Sequence, residues 1–140
     1  MFADQGRDAL RAAYREAWRK WRERLPLQAL EAQIAEVIAE HPEYHALLAS
    51  DAALLQDFPV RAGSENPFLH MGLHLALREQ LATDRPLGIS AIRTRLAARL
   101  ASGHAAEHCM IEVLAEVLWQ AQRAGHAADD ALYLERLCQL

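Results

Sequence analysis

The sequence predicts an all-α fold, a single-domain helical bundle of about four longer helices with short accessory helices spanning residues 1–140. Three observations carry that expectation. Alanine and leucine dominate the apolar content, whereas β-branched residues are few, and this balance favours helix over strand. Apolar residues recur at three- and four-residue intervals along several segments, the period of a helix face. Only 6 glycines and 5 prolines interrupt 140 residues, so long elements are allowed between breaks. A chain of this length buries a substantial core and is short for two ordinary domains.

The first helix is expected from Asp8 to Arg24. Leu10, Ala13, Tyr14, Ala17, Trp18 and Trp21 make its apolar stripe, with the two tryptophans as core anchors. Arg11, Arg15, Glu16, Arg19, Lys20, Arg22 and Glu23 are placed on the opposite, solvated face. Leu25-Pro26 breaks the pattern. A second helix runs from about Leu27 to Glu40, with Leu27, Leu30, Ile34, Val37 and Ile38 inward. His41-Pro42 stops it, because a residue before proline is pushed away from helical dihedrals. A short helix from Glu43 to about Ser50 follows, then a turn over Ala52–Gln56 and an irregular stretch, Asp57 to Glu65.

The central helix spans about Pro67 to Ala82. Asn66 is a good N-cap, and Pro67 suits the first helical position because its missing N–H would have no helical partner there. From Phe68 to Leu77 every residue is apolar or glycine except His70 and His74, so this segment belongs in the middle of a core. Thr83–Gly88 reads as a loop. Ile89, Ile92, Leu96 and Leu100 mark the next helix, which Ser102-Gly103 ends. His104 to about Arg123 forms the last long helix, with Ile111, Leu114, Val117, Leu118 and Ala121 inward and Gly125 closing it. A final helix from about Ala128 to Leu137 carries Leu132, Leu134 and Leu137.

Composition excludes several functions. A net charge of −4 argues against nucleic acid as a partner. No apolar run approaches the roughly 20 residues a membrane span needs, and the N-terminus lacks the pattern of a signal peptide. Cys109 and Cys138 lack CxxC spacing, as expected of reduced, packed thiols in a cytoplasmic protein. No phosphate-binding glycine loop, nucleophile elbow or activated-cysteine motif is present, and no organic cofactor is expected.

Histidine carries the one unusual pattern. Six of the 7 histidines form H-x3-H pairs: His41/His45, His70/His74 and His104/His108. Random placement would give about 0.3 such pairs, and residues four apart meet on one helix face. Pro42 and Gly103 put His41 and His104 near element ends, which leaves His45, His70, His74 and His108 as the stronger four. Glu112 lies one turn beyond His108. Imidazole with carboxylate suits Zn, Fe or Mn, and helical bundles build such sites from inward-facing side chains. The expected metal ligands are therefore His45, His70, His74, His108 and Glu112, with His41 or His104 as alternates. Gly72 would admit a neighbouring helix or ligand, and Glu79 would orient an imidazole from behind. The competing expectation is a non-catalytic structural or interaction bundle whose histidines are hydrogen-bonded in the core, with the Trp18/Trp21 face or the C-terminal helix as a homodimer contact. An ion with an open coordination position would permit hydrolysis or oxidation, and no motif chooses a substrate.

Several stretches resemble one known family, the bacterial domain-of-unknown-function family 1841. They are Ala17-Trp18-Arg19-Lys20, Ile38 to His45, Asn66 to His74 continuing to Arg78-Glu79-Gln80, Asp84-Arg85-Pro86, Glu107-His108 with Glu112, and Trp119 to Arg123. The resemblance covers nearly the whole chain and implies a small cytoplasmic protein of proteobacterial type. It carries no established activity and so transfers no catalytic residue. In spacing alone, the histidine pairs are also distantly similar to hemerythrin-like metal-binding bundles.

Overall fold

A computed structural model describes residues 2–50, 58 and 66–140, with the side chains of residues 2–5 excepted. The fold is all-α. The elements in order are α1 (Phe2–Arg22), α2 (Ala29–Ala39), a 3₁₀ turn (Pro42–Tyr44), α3 (His45–Leu48), α4 (Pro67–Thr83), α5 (Ile89–Leu100), α6 (Gly103–Ala124) and α7 (Asp130–Cys138). Among the described residues no helix is long and apolar enough to cross a membrane. The expected turn at Ala52–Gln56 and most of the irregular stretch after it lie outside the described residues.

The chain divides into two compact units, Met1–Gly72 and Leu73–Leu140, and α4 runs unbroken through the boundary. In the first unit α1 packs on α2. Tyr14, Ala17, Trp18, Ile34, Ala35, Val37, Ile38, Leu48 and Phe68 are buried there. The α1 stripe lies one step round the helix from the expected one. Leu10 and Trp21 are exposed at 51% and 40%, while Arg11 is buried at 3%. The Arg11 guanidinium lies 4.8 Å from the Phe68 ring centroid and 5.4 Å from that of Phe58. A delocalised cation over aromatic faces tolerates this burial better than an ammonium would. In α2 the inward residues are Ile34, Ala35, Val37 and Ile38, and Leu30 is exposed. Glu31 holds the helix start through the Gln28 N–H (3.0 Å) and reaches Lys20 of α1 (2.7 Å).

The second unit packs α5 on α6 and α7 on both. Its core is Leu77, Ile89, Ile92, Leu96, Ala106, Met110, Ile111, Leu114, Val117, Tyr133 and Leu137. Leu118, Leu100 and Leu132, expected inward, are exposed by a third or more. Tyr133 is buried instead and donates its hydroxyl to Gln80 (2.8 Å). α5 ends at Ala101 in the left-handed region (φ 54°), and Ser102 then caps α6 by accepting the Ala105 N–H (3.0 Å). Gly103 is therefore the first residue of α6 rather than a terminator of α5. A Cβ there would stand 2.6 Å from an Arg93 Nη. Gly125 closes α6 at φ 75°, as its position predicts. Both cysteines are free thiols, Cys109 half-buried and Cys138 exposed.

Candidate metal centre

The central helix starts where its sequence predicts. The Asn66 carboxamide oxygen accepts from the N–H groups of Phe68 (3.0 Å) and Leu69 (3.3 Å), so two donors of the first turn are satisfied. One unbroken helix through residues 67–83 puts His70, His74 and Arg78 at four-residue steps along a single face. Gly72, on the next face, leaves room for the Tyr14 hydroxyl, which would lie 3.7 Å from an added Cβ.

In the first unit, Pro42 determines what His41 and His45 do. A helix continuing past Glu40 would use the residue 42 N–H to satisfy Ile38, but proline has none. The His41 N–H turns instead to the Ile38 carbonyl (3.0 Å), and two imidazoles complete the helix end. His41 donates from Nδ1 to the Val37 carbonyl (2.7 Å), and His45 donates from Nε2 to the Ile38 carbonyl (2.8 Å). A carbonyl only accepts, so each hydrogen bond fixes a tautomer in the neutral ring. His41 carries its lone pair on Nε2, and His45 carries its own on Nδ1. The His41 ring is buried, stacks on Tyr44 with centroids 5.5 Å apart, and meets the edge of His70 at 5.1 Å. The His45 ring lies 4.4 Å from the Trp18 ring, on the α1 side of the same turn.

In the second unit, His74 is the fully buried member, at 0% exposure. Its Nδ1 lies 2.8 Å from Glu107 Oε1, and Arg78 Nε reaches the same oxygen at 2.9 Å. Burial alone would push the Glu107 carboxyl up. The hydrogen bonds from His74 and Arg78 and the Arg78 charge outweigh it and hold the group at about 2. Glu107 is thus an anion, and His74 donates to it from Nδ1, which in a neutral ring places the lone pair on Nε2. His108 and His104 stand beside it, with ring centroids 4.9 and 6.1 Å from His74 and 4.3 Å from each other.

The expected ligands therefore fall as follows. His70 and His74 share one face of α4, with His41 beside the first and His108 beside the second. His45 is engaged at the α2 C-terminus, and Glu112 is exposed on α6. Glu79, expected to orient an imidazole, is exposed as well; Glu107 has that place. The sequence signal for Glu107 was the H-x3-R step of His74 and Arg78. Two donors one turn apart on a helix face can share one acceptor.

A family described as a domain of unknown function (DUF1841) matches residues 6–139. The chain belongs to this family. No curated protein and no solved structure matches it. A functional reading of the DUF1841 chain rests on its histidines.

Proposed function

We propose that this DUF1841 protein is a metal-binding helical protein whose ion is held on the histidine face of α4, with His74 and the neighbouring His108 each offering one ring nitrogen. The observation that carries the reading is the Glu107–His74 hydrogen bond. A buried imidazole donating Nδ1–H to an ionised carboxylate has the tautomer, orientation and raised basicity of a metal-ligating histidine. In the first unit His41 is prepared in the same way by the Val37 carbonyl and its ring meets His70, whereas the His45 ring lies against Trp18. With Glu112 exposed, the donor set is imidazole alone. Such a set favours Zn or Fe over Mn, whose preference is for carboxylate and water. Neutral imidazoles leave the ionic charge uncompensated among themselves, and the Glu107 carboxylate behind His74 is shared with Arg78. The reading is of a binding protein.

The test is elemental analysis of protein purified without a nickel column. About one equivalent of Zn or Fe is expected, falling to a small fraction in His70→Ala/His74→Ala protein. Metal-free preparations that also refuse added Zn and Fe would refute the proposal. A second reading, histidines as structural hydrogen-bonders, is favoured by His45, whose Nε2 completes the α2 end. Under it, the His70/His74 double variant loses the same stability with and without chelator. Under the metal reading, the loss is much larger in untreated protein.

A further inference from the structure

Three imidazoles of the second unit form a gradient of exposure. His74 is fully buried, His108 is half-buried, and His104 is exposed in the first turn of α6. The rings of His104 and His108 are 4.3 Å apart, and those of His108 and His74 are 4.9 Å apart. His104 also lies 6.1 Å from His74, nearly parallel to it at 14°. Since α6 supplies His104 and His108 one turn apart, the spacing that brings His108 to His74 also carries the series out to solvent.

We propose that His104 is a transfer ligand, the solvent-side imidazole through which a divalent ion reaches and leaves His108 and His74. The inference rests on the metal reading above and adds to it a way in. Buried sites load slowly, because a hydrated ion must shed its waters before protein ligands replace them. An exposed imidazole next to the site accepts the ion while it still holds part of its water shell, then passes it inward by ligand exchange. No electron is transferred and no covalent bond of the protein changes. Each step exchanges one nitrogen–metal bond, or one water, for another. His104 is therefore needed for the rate of exchange and not for the resident complex. This separates it from His108, whose removal lowers affinity.

The experiment is stopped-flow loading of the metal-free full chain with Zn²⁺, and release to a chromogenic chelator, for the unchanged protein, His104→Ala, His104→Asp and His108→Ala. His104→Ala should keep about one equivalent of zinc with an affinity within about threefold of the unchanged protein, while loading and release both slow about tenfold. His104→Asp restores a metal-binding side chain without an imidazole, and should recover most of the rate. A role in α6 packing alone would not produce that rescue. Unchanged rates in His104→Ala would overturn the proposal, as would loss of stoichiometric zinc, which would make His104 a resident ligand. Failure of the unchanged protein to bind zinc or iron refutes the metal reading itself. A protein that binds zinc but exchanges it independently of residue 104 refutes only the transfer role.

Discussion

Glu107→Gln tests the centre of the site without changing its shape. The carboxylate accepts from His74 Nδ1 at 2.8 Å and from Arg78 Nε at 2.9 Å, and is held at about 2 instead of 4.5. That depression is worth about 3 kcal/mol of stability at neutral pH, consistent with two charge-assisted hydrogen bonds of about 1.5–3 kcal/mol each before desolvation is subtracted. The sign follows from a folded value below the unfolded one. The contribution is present in full above about pH 4.5 and is lost as pH falls towards about 2. In metal-free protein, urea unfolding followed by far-ultraviolet circular dichroism should show the variant about 3 kcal/mol less stable at pH 7, with the gap closing as the pH is lowered below 4. Zinc affinity should fall by about 10- to 100-fold, the usual effect of removing a carboxylate behind a ligating histidine. A stability gap that stays constant from pH 7 to pH 3 would show that the carboxylate is not the ionised partner of His74, and the argument for the tautomer would fail with it.

Other substitutions separate the roles of the remaining residues. His45→Ala removes the donor to the Ile38 carbonyl and the contact with Trp18; chemical denaturation should give a loss of about 1–2 kcal/mol that chelator does not alter, and zinc stoichiometry should be unchanged. Asp129 accepts from the N–H groups of Ala131 and Leu132 at the start of α7, so Asp129→Ala should cost about 1 kcal/mol in the same assay. Met110→Ala opens a cavity in the core of the second unit and should cost about 2–5 kcal/mol. A Met110 loss below 1 kcal/mol would mean that α5, α6 and α7 collapse around the vacancy.

Helix boundaries were legible where a local group decides them. Asn66-Pro67 opens α4 and Gly125 closes α6 because caps act within a few residues and need no tertiary partner. The buried arc of each helix was less legible. Periodicity gives the direction of the apolar face but not its limits, which depend on the neighbour. In α1 this difference moves the buried arc from Leu10 and Trp21 to Arg11, because Phe68 and Phe58 offer ring faces that a guanidinium can cover. In the second unit it exchanges Leu132 for Tyr133, whose hydroxyl finds Gln80.

The histidine pairs show the same limit from another direction. Equal H-x3-H spacing hides three different local tasks. At His41/His45, Pro42 withdraws a backbone donor, and both rings turn back to the α2 carbonyls. One ring then meets His70 and the other meets Trp18. At His70/His74 the helix is continuous, so the spacing keeps its simple meaning of one shared face. At His104/His108 the helix has just begun, and the pair runs from solvent towards the core. What distinguishes the three is the backbone around each pair: a missing N–H, an uninterrupted ladder, and a capped N-terminus. Pro42 marks the first of these in the sequence, whereas Ser102-Gly103 reads there as the end of α5 and only the structure makes it the cap of α6. Glu107 could not be read as easily, since its bond to His74 spans 33 residues and depends on how α6 lies along α4. It is also the residue whose ionised state prepares the His74 lone pair. The weakest sequence signal at this site thus belongs to the group on which its chemistry most depends.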